Sequence, residues 1–252
     1  MTRYTKYQRY LLVDVCNSNE LALQLISEDR HEEAIKHFYE AFRLIRLLAE
    51  DMSDETFQYN HNRNCEQAEI ATPKKNFVQH ISEPISLQPL IRNHFSSFEP
   101  TEDFCAIALT YNVALCYFQC GILGKSRRLL ETVLSATIEE LDHERILALK
   151  IRHLYGMLCV KFSEELEFHG TERLLYVASA AKHLLEACKL GEKSLTKNYK
   201  LLASAYSMVG HLLAKAGLGE EACAAFDEAL KLYHYPMRYS NERSATSCAP
   251  TA

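Results

Sequence analysis

Cys116 and Cys120 stand four residues apart in an apolar helical stretch and could face the same way, which is half of a soft-metal site. No second pair of His or of Cys has that spacing, so a tetrahedral set cannot be completed and no metal is expected. Glu28 with His31, and Glu140 with His143, form two Glu-x-x-His arrangements, a pattern that can hold two irons inside a four-helix bundle. Both fall near predicted turns, and the two further inward carboxylates cannot be placed, so solvated helix ends fit them better. The chain has no Gly-x-x-x-x-Gly-Lys phosphate loop, no dinucleotide fingerprint and no Gly-x-Ser-x-Gly elbow. Neither catalysis nor a cofactor is expected.

The elements around these residues are helical. Glycine is scarce, with 8 residues and none before Gly121, and long stretches rich in Leu, Ala and Glu favour helix over sheet. A net charge of −5 with both signs intermixed leaves no cationic stripe for a phosphate backbone, so nucleic acid is not an expected partner. Nine Cys without a Cys-x-x-Cys pair fit reduced thiols in a cytoplasmic or nuclear protein. The apolar run Tyr10 to Val13 is too short for a secretory signal, so export is not signalled. Phe104 to Leu123 carries no charge and has the length of a membrane span, but Thr110, Asn112, Gln119 and Gly121 suit lipid poorly. No membrane partner is expected.

Self-similarity explains that uncharged stretch better. Tyr206, Val209-Gly210, Leu213, Ala222, Phe226 and Ala229 alternate large and small residues so that two antiparallel helices can approach, with Ala216 to Ala222 supplying the turn between them. The same frame fits Thr110, Val113-Ala114, Tyr117, Gly121, Ser126, Leu130 and Val133. It also fits Leu21-Ala22, Leu25, Ala34, Phe38 and Ala41, where the turn lacks its Gly. A fourth copy joins Tyr155-Gly156 to Ala180, Leu184 and Ala187; Ala180 lies 24 residues after Gly156, twice the regular offset, so longer helices or a protruding loop must absorb the difference. The pattern resembles the tetratricopeptide repeat family.

The expected fold is therefore all-α: an irregular superhelix of about four helix pairs, beginning near Val15, Ile107, Leu149 and Ala203. An N-terminal segment spans 1–14, the first pair 15–50, a polar insertion 51–103, three further pairs 104–236, and a disordered tail 237–252. Within the insertion, 76–81 and 85–88 alternate apolar and polar residues about Pro84, a modest hairpin signal.

The resemblance implies a non-catalytic protein-interaction scaffold whose first helices line a concave groove for a partner peptide or protein segment. Projected from the frame, that lining includes Tyr111, Leu115, Phe118, Lys150, His153, Lys161, His211 and Lys215, and the resemblance adds Asn112 to the expected peptide-binding residues. The full set of projected positions includes three Lys and no acidic residue, so an acidic peptide with apolar anchors would suit it. Chaperone-binding members grip a terminal carboxylate; Asn112 matches one position of that motif, but Ser204 and Met208 stand where Lys and Arg are needed. Tyr233, Tyr235, Met237 and Tyr239 offer two alternatives, an irregular cap on the last helix or a surface for homo-oligomers.

Overall fold

The amide of Gln8 donates to Thr5 Oγ1 at 3.2 Å and the amide of Thr5 donates to Gln8 Oε1 at 2.8 Å, a reciprocal cap that starts helix α1, Lys6–Ser27. The structure, a computed structural model, describes residues 5–52, 84–87, 101–135, 142–165, 170–194 and 198–245. Among them α1 is followed by α2 His31–Met52, α3 Glu102–Gln119, α4 Leu123–Leu134, α5 Asp142–Glu165, α6 Gly170–Lys193, α7 Tyr199–Lys215 and α8 Gly219–Ala245. The described residues contain no strand, and the fold is all-α. Thr101 caps α3 by accepting from the Phe104 amide at 3.1 Å, and Asn198 caps α7 by accepting from Leu201 at 3.1 Å.

Three of the helix pairs turn in the same way. The amides of Arg30, Ile122 and Leu218 donate to the carbonyls of Leu25, Tyr117 and Leu213, while those of Asp29, Gly121 and Gly217 donate to Ile26, Phe118 and Ala214. This double bond is the Schellman ending, and it needs a left-handed residue just past the helix. Gly121 and Gly217 supply it with φ of 75° and 81°; in the first pair Asp29 takes the position at φ 64°. Arg30, Ile122 and Leu218 then accept the first bond of the next helix from Ala34, Ser126 and Ala222, the small buried residues of the shared frame.

The chain divides into two compact units. In the first, α1 lies on α2, α3 on α4 and α2 on α3, and the segment 84–87 belongs with them. In the second, α5 lies on α6, α7 on α8 and α6 on α7, around a core that includes Ala148, Leu149, Ala187, Leu190 and Leu201. Close approach there depends on missing side chains. A methyl on Gly156 would sit 2.7 Å from Leu184 Cγ, one on Gly210 2.8 Å from the Phe226 ring, and one on Gly191 2.8 Å from Leu202 and 2.9 Å from Leu149.

Several boundaries differ from those read in the sequence. The division at residue 14 falls inside α1, because Leu11 and Leu12 continue the buried face of Val15 toward the Thr5 cap. The doubled offset of the α5–α6 pair goes into helix length, 24 residues in each. The 237–252 tail is helical up to Ala245; between Pro236 and Pro250 the chain has no Gly or Pro to stop a helix. The strand-like runs expected at 76–81 and 85–88 lie outside the described residues except for Ile85, Ser86 and Leu87, which form no strand.

Candidate peptide-binding site

Asn19 near the middle of α1 and Asn112 near the middle of α3 are both fully buried, an unusual position for an amide in helices otherwise rich in apolar residues. Each must therefore find partners within the protein. Asn112 Nδ2 donates to Asn19 Oδ1 at 2.9 Å, which ties the two helices together. Their remaining bonds go to the extended segment Pro84–Leu87. The Ile85 amide donates to Asn112 Oδ1 at 2.8 Å, and the Ile85 carbonyl accepts from Asn112 Nδ2 at 2.9 Å and Asn19 Nδ2 at 3.1 Å. A side-chain amide presents one acceptor and a pair of donors, so Asn112 matches both main-chain groups of a single residue and takes no account of its side chain.

Glu20, next to Asn19 on α1, holds the following two residues. Its Oε1 accepts from the Ser86 hydroxyl at 2.6 Å, the Leu87 amide at 3.0 Å and Asn19 Nδ2 at 3.3 Å. Bonds to a charged acceptor are short and strong, in keeping with the Ser86 contact. Leu87 itself is 1% exposed, which stabilises the segment by about 2 kcal/mol of apolar burial. Burial, followed by the neighbouring Cys105 and the Glu20 carboxylate, holds the Cys16 thiol well above its ordinary range. That thiol stays protonated and inert beside the site.

The nine residues expected to bind a partner do not all lie on the surface. Tyr111, Asn112, Leu115, Phe118, Lys150 and His153 are six that the fold encloses. In α3 the reason is the near absence of polar side chains on any face of the helix, so Tyr111, Leu115 and Phe118 act as core while Asn112 meets Ile85. In α5, His153 Nε2 lies 3.1 Å from Ser204 Oγ on α7, and burial pushes its pKa down to about 4. Ser204 is buried as well, so the pair lies inside the second unit. Lys161, part-exposed, pairs with Glu164 at 3.0 Å; His211 is exposed, with Nδ1 2.9 Å from the Ser207 carbonyl, and Lys215 is exposed at the end of α7.

The projection also missed a charge. It gave the lining no acidic residue, whereas Glu20 is in direct contact with the bound segment. The signal available in the sequence was the adjacent pair Asn19-Glu20 interrupting an apolar face, together with a second Asn at a nearby position of the repeat frame.

The remaining chemical candidates do not assemble. Cys116 and Cys120 are buried, with Cys116 Sγ 3.7 Å from the His31 carbonyl as a weak donor. Glu28 caps the end of α1, His31 begins α2, and Glu140 lies outside the described residues. Among the described residues no group of three or more His, Cys, Asp or Glu could hold a metal ion. Among them, too, no helix is long and apolar enough to cross a membrane. No protein-family model matches the chain, and a search of curated proteins finds no match.

Proposed function

We propose that this protein is a non-catalytic scaffold of tetratricopeptide-like helix pairs that binds an extended peptide or protein segment inside the cell. The observation that carries this reading is the grip on Ile85: Asn112 meets both its amide and its carbonyl, and Asn19 meets the carbonyl again. Recognition through main-chain groups suits an interaction module, because it supplies affinity for any extended segment and leaves specificity to neighbouring contacts. The shared turn of the α1–α2, α3–α4 and α7–α8 pairs supports a repeat architecture. Seven described cysteines carry free thiols, in keeping with a reducing compartment.

Selection from a random peptide library tests the reading. The protein should enrich peptides whose binding is lost in Asn112→Leu, with unchanged helical circular dichroism. Equal enrichment by both proteins would exclude the Asn site as the binding surface. Self-association is the second reading, favoured by Leu230 and Tyr233, which stand one turn apart on α8 and are both more than half exposed. A mass by light scattering that doubles with concentration, and returns to one chain in Leu230→Lys, would support it.

A further inference from the structure

Pro84–Leu87 is held as a separate ligand would be held: the bonds of Ile85 N, Ile85 O and Leu87 N described above all end on side chains of α1 and α3. We propose that it is a built-in occupant of the site. The external ligand it stands in for is an extended segment carrying Ser or Thr followed by a large aliphatic residue, which enters by displacing it. This rests on the peptide-binding reading above and adds to it the sequence preference and the mode of entry.

Ile85, Ser86 and Leu87 each define one requirement. At Ile85 only the main chain is bonded, so the site constrains this residue least. At Ser86 the hydroxyl donates to Glu20, so a hydroxyl fits and a carboxylate or a phosphate would meet a like charge. At Leu87 the amide is bonded to the same carboxylate and the side chain is enclosed, which calls for a large apolar residue.

Exchange follows from the burial of the clamp. Asn19 and Asn112 are fully buried, and emptying the site would leave amide groups without their partners, so another main chain has to replace the one that leaves. The number of residues on either side does not forbid its departure: 88–100 lie between it and α3, enough chain at full extension for more than ~40 Å at about 3.5 Å each, and 53–83 lie between it and α2. A tethered competitor acts at an effective concentration of order millimolar, so releasing it should raise the apparent affinity for a free ligand.

The probe is a fluorescein-labelled peptide, Ser-Glu-Pro-Ile-Ser-Leu-Gln-Pro, the sequence of residues 82–89, followed by anisotropy with the full chain. Ser86→Glu sets a carboxylate against Glu20 and should weaken the hold on the occupant, so that a probe replaces it more readily, while leaving the clamp intact. It should bind the probe at least tenfold more tightly than the unmodified protein does, and adding Asn112→Leu should abolish that binding. Amide exchange on the unmodified protein gives an independent readout: saturating probe should speed exchange at Ile85 and Leu87, which a permanent strap would not allow. Unchanged exchange, equal affinity of the two proteins, or loss of cooperative unfolding in Ser86→Glu would each overturn the proposal. So would a dimer formed by Ser86→Glu that excludes the probe, because the occupant would then be a second copy of this chain. If Ser86→Glu ignores this probe but binds library-selected peptides through Asn112, the displacement proposal fails and the peptide-binding reading survives.

Discussion

Asn112 and Asn19, 93 positions apart in the chain, share a 2.9 Å hydrogen bond and converge on one carbonyl, that of Ile85. Removing the Asn112 side chain leaves the Ile85 amide without its acceptor and Asn19 Oδ1 without its donor in a buried site. Asn112→Ala should therefore lower the stability of the first unit by about 1–3 kcal/mol, the cost of leaving buried polar groups unpaired. Asn112→Asp keeps an acceptor for the amide but loses both donors and adds a buried charge, so it should be no milder. Urea unfolding of both variants checks this; a change below about 0.5 kcal/mol in Asn112→Ala would show that the segment contributes little to the fold.

Asp29 carries the left-handed conformation that Gly121 and Gly217 carry in the corresponding turns. A side chain there costs about 1 kcal/mol relative to glycine. Asp29→Gly should raise stability by up to that amount, less whatever its 3.4 Å contact with His31 contributes. Gly121→Ala should lower it, although nothing lies within 4 Å of the added methyl, because the penalty is in the backbone. Melting temperatures moving in opposite directions would support this; both falling would mean that the Asp29 side chain matters more than its backbone angle.

Gly210 and Gly124 separate packing from helix propensity. Both are helical, but a methyl on Gly210 would meet the Phe226 ring at 2.8 Å whereas one on Gly124 meets nothing within 4 Å. Gly124→Ala should gain about 0.5–1 kcal/mol from reduced backbone freedom in the unfolded chain. Gly210→Ala should instead lose about 1–3 kcal/mol through overpacking, in spite of the same propensity gain. Denaturant midpoints measured side by side decide it, and a stabilised Gly210→Ala would refute the close approach of α7 and α8.

The contrast between those glycines also explains how far the sequence could be read. The small residues Ala34, Ser126 and Ala222 and the turn glycines were legible, because each has to fit against a neighbouring helix whose own residues are close in sequence. Gly156 was placed against Leu184 and Ala180 despite the lengthened pair, since small-to-large alternation survives a change in helix length. The site was harder to read. Nothing local signals that Ile85 meets Asn112, because the match is between a side-chain amide and a main chain that carries no residue-specific signal. The repeat frame assigns positions to a face, but it does not say what already covers that face; Tyr111, Leu115 and Phe118 were expected at an open groove for that reason.

His153 makes the second unit sensitive to acid. Its imidazole is fully buried beside Ser204 and is held neutral, with a folded-state pKa of about 4 against an ordinary value near 6.5. Between those two values the unfolded chain binds the proton and the folded one does not, so stability falls as pH drops from about 6.5 to about 4, by up to roughly 3 kcal/mol. His183, which burial also holds below its ordinary range, acts in the same direction. His153→Gln keeps a polar group that can bond Ser204 and cannot titrate. Its urea-unfolding free energy should change less between pH 7 and pH 5 than that of the unmodified protein, and equal slopes in the two proteins would rule out His153 as the source.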